Sequence, residues 1–324
     1  MLSMCSDLVI RISEFLSDRA KIRMTAICVL MDRFKHKFTY YDKANVKIIS
    51  MLPYFNNFRF IETFTDYIGQ YPKLVEFIYF EANDDNIPAF VTHLKFATKF
   101  NKLITKCLPS TIKYLTFGAD FNKSVEGCIP YSVTHLTFGI CFNKSVEECI
   151  PSSVTHLIFG NRFNNPIKNN IPNSVIHLEF GMEFDQPVQK EDIPDSVVSL
   201  TFGWKFNQPI VCCIPKRVKY LEFGHHFNQS IRNAIPESVT HLTFLSTRVP
   251  FKSIPLSVTH LKLGYFFNAP INISTSYITH ISIGYSFDHP LKSDCFPSSI
   301  TRIDLSSNYR RPIPSDLLSK VVKY

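Results

Sequence analysis

The chain has 324 residues, 45% of them apolar and 19% charged, so it can bury a substantial core and is not a disordered polymer. Its net charge of +8 is concentrated in residues 1–60, which hold ten Lys and Arg against five Asp and Glu, and the nearly neutral remainder argues against nucleic-acid binding. No apolar run approaches the ~18 residues of a membrane span, and the nine cysteines show no paired CxxC spacing. We therefore expect a cytoplasmic protein without a membrane segment, a metal or a cofactor.

The first stretch of the chain has apolar side chains at helical rather than strand spacing, and it predicts two or three short helices before residue 40. Ser17 and Asp18 mark the break between the first two, with Asp18 as the N-cap of the second. Residues 40–71 are compatible with further helices or with degenerate copies of the repeat that follows. We assign residues 46–71 as a linker or a degenerate N-terminal cap.

The segments ISEFL and AIC in this stretch resemble an F-box, in which an apolar helix ends in FL, a charged turn follows and a second helix ends in VC. Cys28 occupies the place of the final Cys, whereas the LP and the Trp that usually frame the motif are absent. The resemblance implies that residues 1–45 form a helical F-box-like domain that docks a Skp-type adaptor of a cullin-RING ubiquitin ligase. It implies an apolar set of contact residues that fills a groove of that adaptor: Leu8, Ile12, Phe15, Leu16 and Ile27. The alternative is a plain helical cap, because an uncovered solenoid end exposes its core.

From residue 72 onward a motif of the form IPxSVTHLxFGxxFNxPI recurs about every 21 residues. Self-similarity at this period indicates a solenoid, in which each copy is one structural unit stacked on the next. With a half-copy before them and two degenerate copies after them, the clear copies give about 11 repeats over residues 72–308. The clear copies are marked by Pro88, Pro109, Pro130, Pro151, Pro172, Pro194, Pro215, Pro236 and Pro255.

Within each copy the segment HLTF alternates in polarity, so Leu136 and Phe138 should point inward while His135 and Thr137 face outward. About 21 residues leave little room for a helix on the return side. We therefore expect a mainly β fold: a leucine-rich-repeat-like solenoid with one long parallel sheet and a helix-poor convex side, preceded by the small α-helical region. The copy at residues 245–253 is two residues short and lacks both Gly and FN, and we expect it to kink or bulge the stack.

A glycine follows nearly every strand segment. We expect these glycines to supply a positive φ where the chain turns out of the sheet. They are Gly118, Gly139, Gly160, Gly181, Gly203, Gly224, Gly264 and Gly284.

The last copy, ITRIDLSSN at residues 300–308, resembles the leucine-rich-repeat signature LxxLxLxxN. Together the IP and FN signatures resemble the FNIP repeat, a leucine-rich-repeat variant found mainly in amoebae and in giant viruses of amoebae. The resemblance covers about two thirds of the chain. It implies a binding scaffold and, for a viral protein, action in the host cytoplasm.

Residues that recur in every copy form stacked rows, and we interpret these rows as structural. Parallel side chains do not converge on one point, so the histidine row should stack rather than bind a metal. The Asn of the FN pair should satisfy backbone groups at the turn, and the Phe should pack in the core. Neither a GxSxG elbow nor a P-loop occurs, so we expect no enzymatic activity.

The positions after the glycine vary between copies, and there a partner could be recognised. Exposed Trp, Tyr, Met and Arg are the residue types that anchor protein interfaces. The alternative is that some of these side chains only pack over the edge of the sheet. The predicted target-binding residues are Arg162, Met182, Trp204, Lys205, His225, His226, Tyr265 and Tyr285.

At the other end, PSDLLSKVVKY predicts a closing helix over residues 309–324 with Ser315 as its N-cap. Together the F-box and FNIP resemblances imply a substrate-recognition adaptor of an SCF-type ubiquitin ligase that is monomeric within its complex and binds an unknown target protein. The second hypothesis is a non-catalytic interaction scaffold whose N-terminal helices merely cap the solenoid. A third, nucleic-acid binding through the basic N-terminus, predicts steeply salt-dependent affinity, and we do not expect it.

Overall fold

In a computed structural model of the protein, residues 6–27, 29–64, 69–73, 75–246 and 248–324 are described. The chain forms two compact units, one of Met1–Ala97 with Leu108–Leu115 and the other of Thr98–Cys107 with Thr116–Tyr324. Cys28, which belongs to the F-box resemblance, lies outside the described residues. Within the described ranges, none of the helices combines the length and the apolar character needed to cross a bilayer.

The N-terminal region is helical, as its apolar spacing predicts, with α1 at Ser6–Glu14, α2 at Asp18–Thr25 and α3 at Val29–Asp32. The expected cap is wrong by one residue, because the side chain of Ser17, not that of Asp18, accepts the backbone N–H of Ala20 at 3.3 Å. Asp18 is buried and pairs with a buried lysine. A carboxylate can neutralise that charge and a hydroxyl cannot, so the serine takes the cap.

The first unit has its own hydrophobic core, which joins α1 to the first strands. Val9 of α1 is 1% exposed and belongs to one cluster with Tyr40, Ile61 and Ile78. Four parallel strands pair in chain order: β1 (Ala44–Asn45), β2 (Phe60–Thr63), β3 (Phe77–Ala82) and β4 (His93–Phe96). Residues 40–71 thus hold a short helix, α4 (Val46–Ile49), and two strands in repeat positions.

The second unit is a parallel β-solenoid, as the 21-residue period predicts. Its strands keep their register from copy to copy, so that Leu136 lies opposite Leu157 and Leu157 opposite Leu178. On the return side the described residues form turns and short 3-10 helices such as Phe251–Ser253, which confirms the helix-poor expectation. After β5 (Tyr114–Thr116), at the boundary of the units, the strands are β6 (His135–Thr137), β7 (His156–Ile158), β8 (His177–Glu179), β9 (Ser199–Thr201), β10 (Tyr220–Phe223), β11 (His241–Phe244), β12 (His260–Leu263), β13 (His280–Ile283), β14 (Arg302–Leu305) and β15 (Val321–Lys323).

Two rows of phenylalanine fill the core of this unit. The strand row, such as Phe138 and Phe159, stacks at ring-centroid distances of 5.6 Å, and the FN row, such as Phe142 and Phe163, stacks at 6.2 Å. Within one copy the two rings lie closer, at 4.1 Å for Phe138 and Phe142. Because burial of such a side chain contributes roughly 1.5–3 kcal/mol, each copy that has both phenylalanines adds to the stability of the stack. The predicted core role of these rows is confirmed.

The asparagine row closes the turn in the predicted way. Oδ1 of Asn122 accepts the backbone N–H of Asn143 in the next copy at 3.0 Å, and Oδ1 of Asn143 accepts that of Asn164 at 2.9 Å. Asp185 occupies one place in the row, and its carboxylate accepts the N–H of Asn207 at 2.9 Å. Each of these copies therefore satisfies a backbone donor of the copy that follows it.

The role expected for the eight glycines after the strands is wrong. None of them has a positive φ; among the described glycines only Gly127 does, at 64°. Glycine is required at these positions because the backbones of neighbouring copies approach closely: a Cβ at Gly203 would lie 1.7 Å from the carbonyl oxygen of Gly181. The left-handed residue lies instead three positions before the proline, at Gly127 and then at Glu148, Asn169, Glu191, Cys212 and Asn233, where φ is between 52° and 76°.

The short copy and the C-terminal segment also differ from expectation. Strands β11 and β12 pair over four residues without a bulge, so the return side, with its 3-10 turn, accommodates the missing residues. The closing helix predicted for residues 309–324 is wrong: only Leu318–Lys320 is helical, as one 3-10 turn, and Val321–Lys323 forms β15 against β14. A further strand satisfies the open backbone groups of β14, and β-branched valines favour it.

Candidate interaction surfaces

The first candidate surface consists of exposed apolar side chains on α1 and α2 and in the residues that follow each helix. Phe15 is 89% exposed and Ile27 is 75% exposed, and Leu8, Ile12 and Ile22 are roughly half exposed. We call these five residues the N-terminal patch. Four of them are among the predicted adaptor contacts, whereas the fifth predicted contact, Leu16, is half-buried.

Leu8 and Ile12 of α1 and Phe15, directly after its last residue, follow one another at helical spacing. They lie on a side of the helix roughly a quarter turn away from the buried Val9. The helix is thus apolar on two sides, and only one side is used by the core. Ile22 was not predicted as a contact because its spacing also fits a core position. What turns it outward is the burial of Lys21 and Thr25 on the other side of α2.

A buried ion pair holds α2 in this orientation. Lys21 Nζ lies 2.9 Å from Asp18 Oδ1 and donates to the carbonyl oxygen of Thr39 at 2.6 Å. Asp18 Oδ2 accepts the backbone N–H of Asp42 at 2.6 Å. Such a pair is compatible with burial because its hydrogen bonds are satisfied. It fixes the support on which the N-terminal patch lies.

The second candidate surface lies on the outward face of the strands in the second unit, where the predicted histidine row stacks. Ring centroids of His135 and His156 are 4.1 Å apart, and those of His156 and His177 are 4.4 Å apart. Nδ1 of His156 lies 2.9 Å from the hydroxyl of Thr155, which itself donates to the carbonyl oxygen of Thr134. Since a hydroxyl has one proton, Nδ1 of His156 carries the hydrogen and donates to Thr155.

Partial burial and neighbouring rings disfavour the charged form of four imidazoles in the row. The pKa of His156 is lowered by burial and by the neighbouring rings of His135 and His177. The pKa values of His135, His241 and His260 are lowered by burial and by other histidines of the row. For these four rings the uncharged form is therefore favoured.

A groove of about 400 Å³ runs along the outward face from β9 to β14. One wall is the histidine row, here with Ser199 and Tyr220, and the other is formed by variable residues such as Glu222, Lys262 and Asp304. Burial raises the pKa of Glu222, and Lys262 partly offsets that rise. The groove thus combines both signs of charge and has no dominant sign.

The third candidate surface is a group of rings after strands β9 to β13. Trp204 stacks on His225 with a centroid distance of 4.5 Å and an interplanar angle of 5°. Tyr265 stacks on Tyr285 at 5.0 Å and 2°. Phe266 lies between these stacks, edge-on to His225 at 5.6 Å and beside Tyr265 at 5.0 Å. We call these five residues the aromatic cluster.

The structure brings together four of the eight predicted target-binding residues. The ring of His226 adjoins His225, whereas Lys205 forms an ion pair with Glu183 of the preceding copy. Arg162 and Met182 lie in exposed positions of earlier copies and belong to no ring contact among the described residues.

Phe266 belongs to the variable positions after the glycine but is not among the predicted target-binding residues, and its copy lies three strands from that of Trp204. It reaches back across the short copy, where Ser246 is buried and follows the strand in place of a large outward side chain, and its ring centroid lies 6.2 Å from that of Trp204. The sequence signal that could have indicated this contact is the two-residue shortening of the copy at residues 245–253.

Comparison with known proteins supports the repeat assignment. The FNIP Repeat family model matches residues 82–120, 100–141, 142–183, 163–205, 184–212, 206–246 and 275–308, which together span more than half of the chain. No curated protein matches the chain. The interval left unmatched between residues 246 and 275 includes the short copy.

Among solved structures, the chain is similar to "CroV588 a novel circular LRR protein structure", with 32% identity and a TM-score of 0.61. The similarity covers 80% of this chain but only 45% of that one, so the chain spans about half the length of that relative. A leucine-rich repeat protein from Bacteroides ovatus is also matched, at 13% identity and a TM-score of 0.18. The recurring IP and FN signatures, the parallel solenoid that they build and the family match agree, and the chain belongs to the FNIP repeat family.

Proposed function

We propose that the protein is a non-enzymatic adaptor of an SCF-type cullin-RING ubiquitin ligase. A solenoid of FNIP repeats, similar to a leucine-rich-repeat structure, indicates a protein–protein interaction scaffold. In the proposal the F-box-like helices dock a Skp-type adaptor, and the repeat unit binds a target protein. The protein then acts by raising the effective concentration of the target near the ligase, without chemistry of its own.

The exposure of the N-terminal patch carries the proposal. Phe15 and Ile27 give most of their surface to solvent although α1 already has a buried side in Val9. Burial of each large apolar side chain in a partner groove would contribute roughly 1.5–3 kcal/mol before the costs of association. An apolar helix side that lies in a hydrophobic groove is a recurrent mode of recognition.

The test is capture of a purified Skp-type adaptor by the full-length protein. We expect the wild-type chain to retain the adaptor and the double variant Phe15→Asp, Ile27→Asp to lose it. Met51→Asp is the matched control, because Met51 is 90% exposed in the same unit but lies outside the N-terminal patch. Thermal melts should be alike for all three proteins, since each substitution is at an exposed side chain. Failure of the wild-type chain to bind, or equal binding by the double variant, would refute the ligase role.

A second candidate function is an interaction scaffold whose N-terminal helices only cap the solenoid. The observation that favours it is the cluster of Val9 with Tyr40, Ile61 and Ile78, since α1 does cover the core of the first unit. The scaffold function predicts that the Phe15→Asp, Ile27→Asp double variant binds the same partners as the wild-type chain. We further propose that the protein acts in the cytoplasm, that of the host if the protein is viral, as one copy in its complex.

A further inference from the structure

We propose that the aromatic cluster is a docking site for a proline-rich segment of the target, bound in the extended polyproline II conformation. The inference rests on the proposed capture role of the repeat unit and names the chemistry of what is captured. It does not depend on the N-terminal patch, which belongs to the other unit.

The exposure of the rings is the first argument. Tyr265, Phe266 and Tyr285 are 55%, 47% and 49% exposed, so about half of the surface of each residue remains in solvent. Phe266 is perpendicular to His225, with an interplanar angle of 90°, while Tyr265 and Tyr285 are parallel to each other. Rings at right angles form a ridged apolar surface held by mutual contact, so little side-chain entropy remains to be lost on binding.

The second argument is that the polar atoms of the cluster have no internal partners. In the part of the chain that the structure describes, the indole N–H of Trp204 and the hydroxyls of Tyr265 and Tyr285 make no hydrogen bond to protein. A polyproline II helix has no internal hydrogen bonds and presents its carbonyl oxygens outward. Aromatic surfaces with a few outward donors are how such segments are recognised.

The length of the cluster is the third argument. Along the path from Trp204 through Phe266 and Tyr265 to Tyr285, successive ring centroids are 6.2, 5.0 and 5.0 Å apart. The rings therefore extend over at most about 16 Å. At about 3.1 Å per residue, this length matches about five residues of a polyproline II segment.

The charges nearby favour a neutral ligand. Lys205, next to Trp204, is neutralised by Glu183 of the preceding copy. A site for single-stranded nucleic acid would interleave unpaired cations with its stacking rings. The pairing of Lys205 therefore favours a segment recognised through apolar rings and carbonyl oxygens.

The experiment uses the full-length protein and the fluorescence of Trp204, the single tryptophan of the chain. A ten-residue polyproline peptide should produce a saturable change, and a ten-residue Gly-Ser peptide should not. Tyr265→Ala and Phe266→Ala should each weaken the affinity at least tenfold. Tyr131→Ala is the matched control: Tyr131 is 81% exposed in the same unit, outside the cluster, and its loss should change the affinity less than twofold.

Circular dichroism melts establish that the variants fold, and Tyr265→Ala removes a side chain that is more than half exposed. The inference is overturned by the absence of a saturable change up to millimolar peptide, by an equal response to the Gly-Ser peptide or by full affinity in Tyr265→Ala. Tighter binding of oligothymidine or of an oligosaccharide than of polyproline would also overturn it. If the peptide fails to bind while the wild-type chain still captures the adaptor, only this inference is refuted. If the peptide binds while the wild-type chain fails to capture the adaptor, only the ligase role is refuted.

Discussion

Replacement of Gly203 by Ala tests the physical basis of the solenoid. A Cβ at this position would lie 1.7 Å from the carbonyl oxygen and 2.6 Å from the carbonyl carbon of Gly181, where ordinary contacts are 3.4 Å or longer. Both atoms are backbone in the neighbouring copy, so no side chain can rotate away. The copies must separate locally, which loosens the stacking of Phe202 on Phe180 at 5.9 Å. We expect the free energy of unfolding to fall by about 3 kcal/mol.

Gly127 provides the matched control. It has a φ of 64°, and a Cβ there would meet nothing within 4 Å. Its replacement by Ala therefore tests backbone strain alone, at a cost of about 1 kcal/mol. Chemical denaturation followed by circular dichroism measures both variants against the wild-type chain. If Gly203→Ala is no more destabilising than Gly127→Ala, the glycines are present for backbone conformation and the close-approach argument is wrong.

Three further predictions concern charge and backbone strain. Lys21→Met leaves Asp18 buried without its partner, and in a denaturation experiment it should lower the free energy of unfolding by about 3–5 kcal/mol. Lys35→Met, at an exposed pair, should change the free energy of unfolding by no more than about 0.5 kcal/mol. Equal effects of the two substitutions would contradict the role of the buried pair. The pKa values of His135 and His156 are lowered in the folded state, so below about pH 6.5 the unfolded chain binds more protons at these two positions. The stability that they contribute is complete above about pH 6.5 and is lost as the pH falls through the lowered values. The melting temperature should therefore fall between pH 7.5 and 5.5, and less so in His156→Gln; a flat profile would show that the row does not titrate as described. Glu191→Gly relieves a φ of 76° and should raise the free energy of unfolding by about 0.5 kcal/mol, whereas Lys190→Gly, whose φ is not positive, should lower it.

Much of the repeat unit could be predicted because its period is long and regular. The alternation in HLTF placed Leu136 inside and His135 outside, and the FN pair placed an amide at the turn where Asn143 binds the next copy. These predictions succeed because a residue that recurs in every copy has the same neighbours in every copy.

The sequence predictions fail where the role of a residue depends on the distance between neighbouring copies rather than on the sequence within one copy. A glycine after a strand fits a left-handed turn as well as a close approach, and only the 1.7 Å contact at Gly203 distinguishes the two. The left-handed position itself is occupied by Glu148, Glu191 and Cys212, residue types that carry no signal for it. The stripe Leu317, Leu318, Val321, Val322 has helical spacing, yet pairing with β14 decided its structure.

The candidate surfaces were predictable to different degrees. The helical spacing identified Leu8, Ile12 and Phe15 as one apolar side, but the F-box resemblance, not the spacing, assigned them to a partner rather than to the core. In the aromatic cluster, deviation from the consensus pointed to Trp204 and Tyr265. It could not show that Phe266 crosses the short copy, because that contact joins residues three strands apart.

Titration calorimetry of the full-length protein with a purified Skp-type adaptor tests the central claim most directly. The account predicts one adaptor bound per chain with a negative heat-capacity change, the signature of apolar burial. It also predicts an affinity at least a hundredfold weaker for the Phe15→Asp, Ile27→Asp variant and unchanged for Met51→Asp. Absence of binding by the wild-type chain, or equal binding by the double variant and the control, would contradict it.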